Sequence, residues 1–267
     1  MRYLIAAAGG LLLAACSQNA SAPGAGAAAM DGTYKIDVAS AKLSTKPDTF
    51  TIKDGEYDCS SCTPPFKIAA DGKPHDVAGR DYWDSASVKV VDAKTIEFTR
   101  YRKGVSVGSA TVTVSDDGQM LTWTSHSSDN AEGKAVTNTS KSKRTAPAPA
   151  GAHAVSGSWV GVNDGAQIAD ESTKATIKFD GKTVSMKLPT GEGYEAKIGG
   201  PQVPFTGDKA GATMAVTAEG TGFKEIDYVG GKPVMEFIYT PVDATSATLK
   251  VHNVKADTTD EYSMKKQ

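Results

Sequence analysis

Short runs of alternating apolar and polar residues, separated by Asp-Gly pairs, constrain this chain more than any other feature. Thr49–Lys53, Val88–Val91, Thr95–Thr99, Val105–Val114 and Met120–Thr124 form one series. Ala175–Phe179, Thr183–Leu188, Met214–Ala218, Phe223–Val229, Val234–Tyr239 and Thr248–Val251 form a second. A period of two puts one face of each run in a core and the other in water. Asp-Gly, which recurs at 31–32, 54–55, 71–72, 117–118 and 180–181, is the dipeptide best suited to two-residue hairpin turns. No helical periodicity extends beyond about two turns. The expected fold is all-β, as two tandem antiparallel β-barrel or sandwich domains.

Two breaks set the expected boundaries. Residues 17–30 are small and Gly/Ala/Pro-rich, the composition of a flexible tether. Residues 145–154 hold a run of alternating alanine and proline, read as a semi-rigid linker. The expected organisation is therefore 1–15 signal peptide, 16–30 anchor and tether, 31–144 first β domain, 145–154 linker and 155–267 second β domain. The two domains look related. Gly32-Thr33-Tyr34 opens one and Gly157-Ser158-Trp159 the other; Ile96–Tyr101 parallels Phe223–Tyr228, and Met120–His126 can be laid on Ser246–His252.

Met1-Arg2 precedes a short apolar run, Leu4–Leu13, that ends in Leu13-Ala14-Ala15-Cys16. The run suits a signal peptide better than a membrane span, which needs about 20 residues. Its end resembles the lipobox of bacterial lipoproteins. That resemblance implies cleavage before Cys16 and acylation of its sulfur and new amine, which together give stable membrane anchoring. Ser17 in place of an aspartate implies an outer-membrane address on the periplasmic side, with the inner membrane or the cell surface as alternatives. An ordinary secretory signal with a coincidental Cys16 is the competing reading.

A Gly-x-aromatic on the first of about eight short antiparallel strands resembles the lipocalin-like, or calycin, barrels. There the aromatic ring closes one barrel end and a basic side chain near the last strand packs on its face. The resemblance implies that Trp159 closes the second barrel with Lys265 or Lys266, and that Tyr34 closes the first with Lys143 or Arg144. The layout also resembles a group of bacterial exported all-β proteins, which implies no activity. Independently of either family, a large ring on a first strand reads as a core anchor.

Few residues are arranged for chemistry. In an oxidising compartment Cys59-Ser60-Ser61-Cys62 reads as a disulfide. A redox-active pair needs its thiolate at a helix N-terminus, and Thr63-Pro64-Pro65 cannot continue as a helix. His75, His126, His153 and His252 are scattered, and no metal site is expected. Ser140-x-x-Lys143 lies in a polar strand beside the linker and reads as coincidence. Tyr82 and Trp83, flanked by Asp81 and Asp84, are a candidate recognition loop, or else one ring turns inward and plugs a barrel end. A net charge of −2 without a basic stripe argues against nucleic acid. The expectation is a non-enzymatic, membrane-anchored binding module without a cofactor, holding a small apolar ligand or an envelope partner. The alternatives are a thiol-disulfide redox protein using Cys59 and Cys62, or a purely structural envelope protein.

Overall fold

The computed structural model describes residues 30–267. In chain order its strands begin with β1 (Met30–Lys42), β2 (Asp48–Lys53), β3 (Glu56–Cys59), β4 (Phe66–Ala69), β5 (His75–Asp76), β6 (Ser85–Val90) and β7 (Thr95–Arg102). They continue with β8 (Val105–Val114), β9 (Met120–Ser127), β10 (Val136–Ala146) and β11 (Gly157–Gln167). After a one-turn helix, α1 (Asp170–Thr173), come β12 (Lys174–Phe179), β13 (Thr183–Lys187), β14 (Gly193–Lys197) and β15 (Val203–Pro204). The last are β16 (Thr213–Glu219), β17 (Gly222–Val229), β18 (Lys232–Pro241), β19 (Ser246–Asn253) and β20 (Thr258–Lys266).

These strands form two ten-stranded sheets of identical topology. One runs β4-β3-β2-β11-β10-β9-β8-β7-β6-β5 and the other β14-β13-β12-β1-β20-β19-β18-β17-β16-β15. Each curls into a nearly closed barrel: past β4, Asp71 bridges Lys89 on β6, and past β14, Ile198 bridges Val216 on β16. The all-β, twofold architecture is the one the alternation and its turns imply. At 54–55 Asp-Gly has φ of 53° and 79°, the paired positive values of a tight hairpin turn. Asp31-Gly32 is different: it lies inside β1, not in a turn.

The division of strands differs from the one the Ala/Pro stretch suggests. β1 pairs with β12 and β20, and β11 pairs with β10 and β2. Each half therefore gives its opening strand to the other. The first barrel is continuous from residue 48 to 167, the second combines 30–42 with 174–266, and the chain crosses at 43–47 and 168–173. The 145–154 stretch is the connection of the β10–β11 hairpin. It is held down: the His153 N–H donates to the Ile52 carbonyl at 2.8 Å, and the Arg144 guanidinium donates to the Ala154 and Ser156 carbonyls. Val155 and Ser156 are fully buried. Periodicity tells a strand which face to bury but not which sheet to join, so the exchange leaves no mark in the pattern.

Strand register makes the two barrels comparable position by position. Leu121 faces Ser142 and Trp123 faces Ser140, as Ala247 faces Met264 and Leu249 faces Tyr262. Even the bulges match, between Arg100 and Tyr101 in one and between Asp227 and Tyr228 in the other.

Candidate functional site

The two anchor rings show how the exchange is locked. Trp159 is 1% exposed, donates from its indole N–H to the Val155 carbonyl at 3.0 Å, and carries the Arg144 guanidinium 4.0 Å above its ring. Tyr34, 2% exposed, lies opposite Lys266. This corrects the expected pairing: Trp159 takes the cation of the other segment's last strand, and Tyr34 lies across from Lys266 of the other segment's last strand, because each ring's own strand has crossed over. The glycine two residues before each ring makes room for that cation. A Cβ on Gly32 would lie 2.6 Å from Lys266 Cε, and one on Gly157 2.5 Å from an Arg144 nitrogen. Both glycines have φ near 130° (133° and 132°), a conformation other residues avoid.

The interiors of the barrels differ. The second is filled by Ile177, Phe179, Met186, Met214, Phe223, Phe237, Tyr239, Tyr262 and Met264. It also buries Glu225, which accepts a 2.6 Å hydrogen bond from the Tyr194 hydroxyl. The first has a packed floor of Ile52, Ile68, Val88, Ile96, Val112, Leu121 and Trp159. Above that floor lies a cavity of about 380 Å³, within the size range of small-molecule sites. Its walls are aromatic. Phe50 meets Trp123 edge-on at 6.1 Å, Trp123 meets Phe98 at 6.5 Å, Phe98 meets Tyr57 and Trp83, and Phe66 joins Tyr57 to Trp83.

Small residues on two neighbouring strand pairs create the space. Register places Ala110, Ser140 and Ser142 of the cavity wall where the second barrel has Phe237, Tyr262 and Met264. Asp48 corresponds in the same way to Ala175, since each faces the anchor ring of its barrel. Burial pushes the Asp48 carboxyl from 3.8 up to about 7. Burial likewise raises the Tyr57 phenol, and the Asp48 charge adds to that rise.

The mouth is closed in part by the 79–83 loop. Arg80 donates to the Thr63 carbonyl at 3.0 Å and to the Pro64 carbonyl, and stacks over Phe66 and Trp83 at 4.7 and 5.2 Å. Burial lowers its pKa, and its Nε has no hydrogen-bond partner. Asp81 accepts a 2.5 Å bond from Lys255 of the second barrel, which also reaches the Gly79 carbonyl at 3.0 Å. Val234, Met235, Asn253 and Ala256 complete the rim from that side. A smaller recess around His126 and Asp129 shares Tyr82, Trp83 and Arg100 with it. Comparison with known protein families, with curated proteins and with solved structures returns no match.

The residues singled out in the sequence fall in several places. Cys59 and Cys62 are disulfide-bonded, with Cα atoms 5.4 Å apart, and both border the cavity. The bridge lies between β3 and β4, and the short α1 is the one helix among the described residues. Trp83 turns into the first barrel, while Tyr82 packs against the core of the second. The histidines stay apart: His75 contacts Asp71, His126 contacts Thr137, His153 contacts the Asp92 carbonyl, and His252 contacts Glu236 and Asp257. Among the described residues no three metal-ligating side chains come together. Cys16 lies outside the described residues. Asp48, Arg80, Ala110 and the two inward serines escaped the sequence reading. A register-based overlay of the two halves, with serines against Tyr262 and Met264, is the signal that finds them.

Proposed function

We propose that this chain is a lipid-anchored binding module whose first barrel holds a small, largely apolar ligand, with the second barrel as its packed support. The observation that carries this reading is the small-for-large exchange at Ala110, Ser140 and Ser142 between two barrels of one topology. A barrel of this kind is stable when filled, as the second is, so an open aromatic chamber costs contacts that a ligand restores. The anchor is Cys16 under the lipobox reading, and an outer-membrane, periplasmic-side location follows from the same resemblance. Ligand binding, not catalysis, is the role proposed. The test is titration with the apolar fluorescent probe N-phenyl-1-naphthylamine. Saturable enhancement that disappears in the Ser140→Tyr/Ser142→Met double variant is expected. Absence of binding, or equal binding by the filled variant, overturns the reading.

A further inference from the structure

We propose that the cavity ligand is an organic cation, a protonated amine on an apolar or aromatic body, with Asp48 as its counter-ion; this rests on the reading of the first barrel as a ligand site. Asp48 is the acid inside the aromatic chamber, and its carboxylate makes no hydrogen bond or ion pair to any described residue. The fold does not need it there, because the second barrel closes with Ala175 at the same position. An unpaired carboxylate in an apolar enclosure is costly, and a cationic partner that is not part of the chain would offset that cost.

The other charges on the lining are held by protein groups, although among the described residues no carboxylate pairs with Arg80. Arg80 is held by two backbone carbonyls and two rings. Lys255 and Asp81 are paired with each other, and Arg100 has an interaction of its own. The Arg80 Nε is itself sealed from the cavity, so a ligand anion cannot reach it where it stands. An incoming anion would face Asp48, and the Arg80 guanidinium is turned to the Thr63 and Pro64 carbonyls and the two rings. An incoming ammonium would meet the carboxylate and the π faces of Phe50, Tyr57, Phe98 and Trp123, which attract cations.

Three probes of nearly one shape separate the possibilities: 2-phenylethylamine, 2-phenylethanol and 3-phenylpropionate. Each is titrated at pH 8 into the full-length protein in mild detergent, following the fluorescence of Trp83 and Trp123 and the heat of binding. The amine is expected to bind at least tenfold more tightly than either analogue. Asp48→Asn should remove that advantage while leaving the alcohol unchanged, and Asp48→Ala, which copies Ala175, should do the same. Equal or tighter binding of the alcohol or the acid overturns the assignment, as does amine affinity that survives in both variants. If the alcohol or acid binds and the Ser140→Tyr/Ser142→Met variant blocks it, the cavity remains a ligand site and only the cation assignment falls. If none of the three binds, the cation assignment falls, and the N-phenyl-1-naphthylamine titration alone decides whether the cavity is a ligand site.

Discussion

At the scale of single residues, Asp48 and Arg144 make opposite contributions. The folded protein holds the Asp48 proton with a pKa of about 7 against an ordinary 3.8, so the native state binds protons more tightly than the unfolded chain between those values. Stability from this group is therefore intact below pH 4 and declines as the pH rises to 7, by up to about 4 kcal/mol. Asp48→Asn should melt higher than the parent at pH 8 and with it at pH 4, as measured by urea denaturation at both pH values. A parent whose stability does not fall across that interval would contradict the burial of the carboxyl. Arg144 donates to the Gly118, Ala154 and Ser156 carbonyls and covers Trp159. A lysine keeps the charge but cannot form that planar fork. Arg144→Lys is expected to cost about 1–3 kcal/mol, readable as a drop in urea midpoint with an unchanged slope.

At the scale of elements, β10 carries most of the difference in filling between the barrels. Thr137–Lys143 alternates without an apolar residue, so it reads as a solvated strand, yet Ser140 and Ser142 face inward. The chamber was hidden for that reason: a serine facing a cavity and a serine facing water look alike in one sequence. The strands themselves were legible because their alternation and turns are local. β8, β12 and β17 run over the residues the pattern marks. Filling the chamber with the second barrel's own residues, Ser140→Tyr and Ser142→Met, should stabilise the protein by about 1–2 kcal/mol while abolishing probe binding. A thermal melt of the variant beside the parent decides it. The Cys59–Cys62 bridge closes a ring of only four residues, for which chain entropy gives about 2 kcal/mol. Reduction should lower the unfolding free energy from urea titration by that amount and leave the cooperative transition in place.

At the scale of the whole molecule, the exchange of β1 and β11 makes the halves interdependent. The barrels are also joined by the Lys255–Asp81 pair, by the Ala131 N–H donating to Glu192 and by Asn163 donating to the Ala41 carbonyl. The Gly-x-aromatic signature marks Tyr34 and Trp159, both of which are buried, but not which barrel each joins, since the signature is local and strand pairing is not. Fragments make the distinction experimentally. Residues 48–167, a complete barrel with its own Trp159 and Arg144, should fold and melt cooperatively by near-UV circular dichroism. Residues 31–144, which lack Trp159 and carry a strand belonging elsewhere, should not. Cooperative melting of 31–144 would contradict the exchanged topology.

The most direct test of the central claim, that the first barrel is a ligand chamber, is native mass spectrometry of the protein isolated from its own cells in mild detergent, run beside the Ser140→Tyr/Ser142→Met variant. A small-molecule mass above that of the chain itself, lost on collisional activation and absent from the filled variant, is the predicted result. A bare chain mass in both proteins, or the same adduct on both, would contradict it.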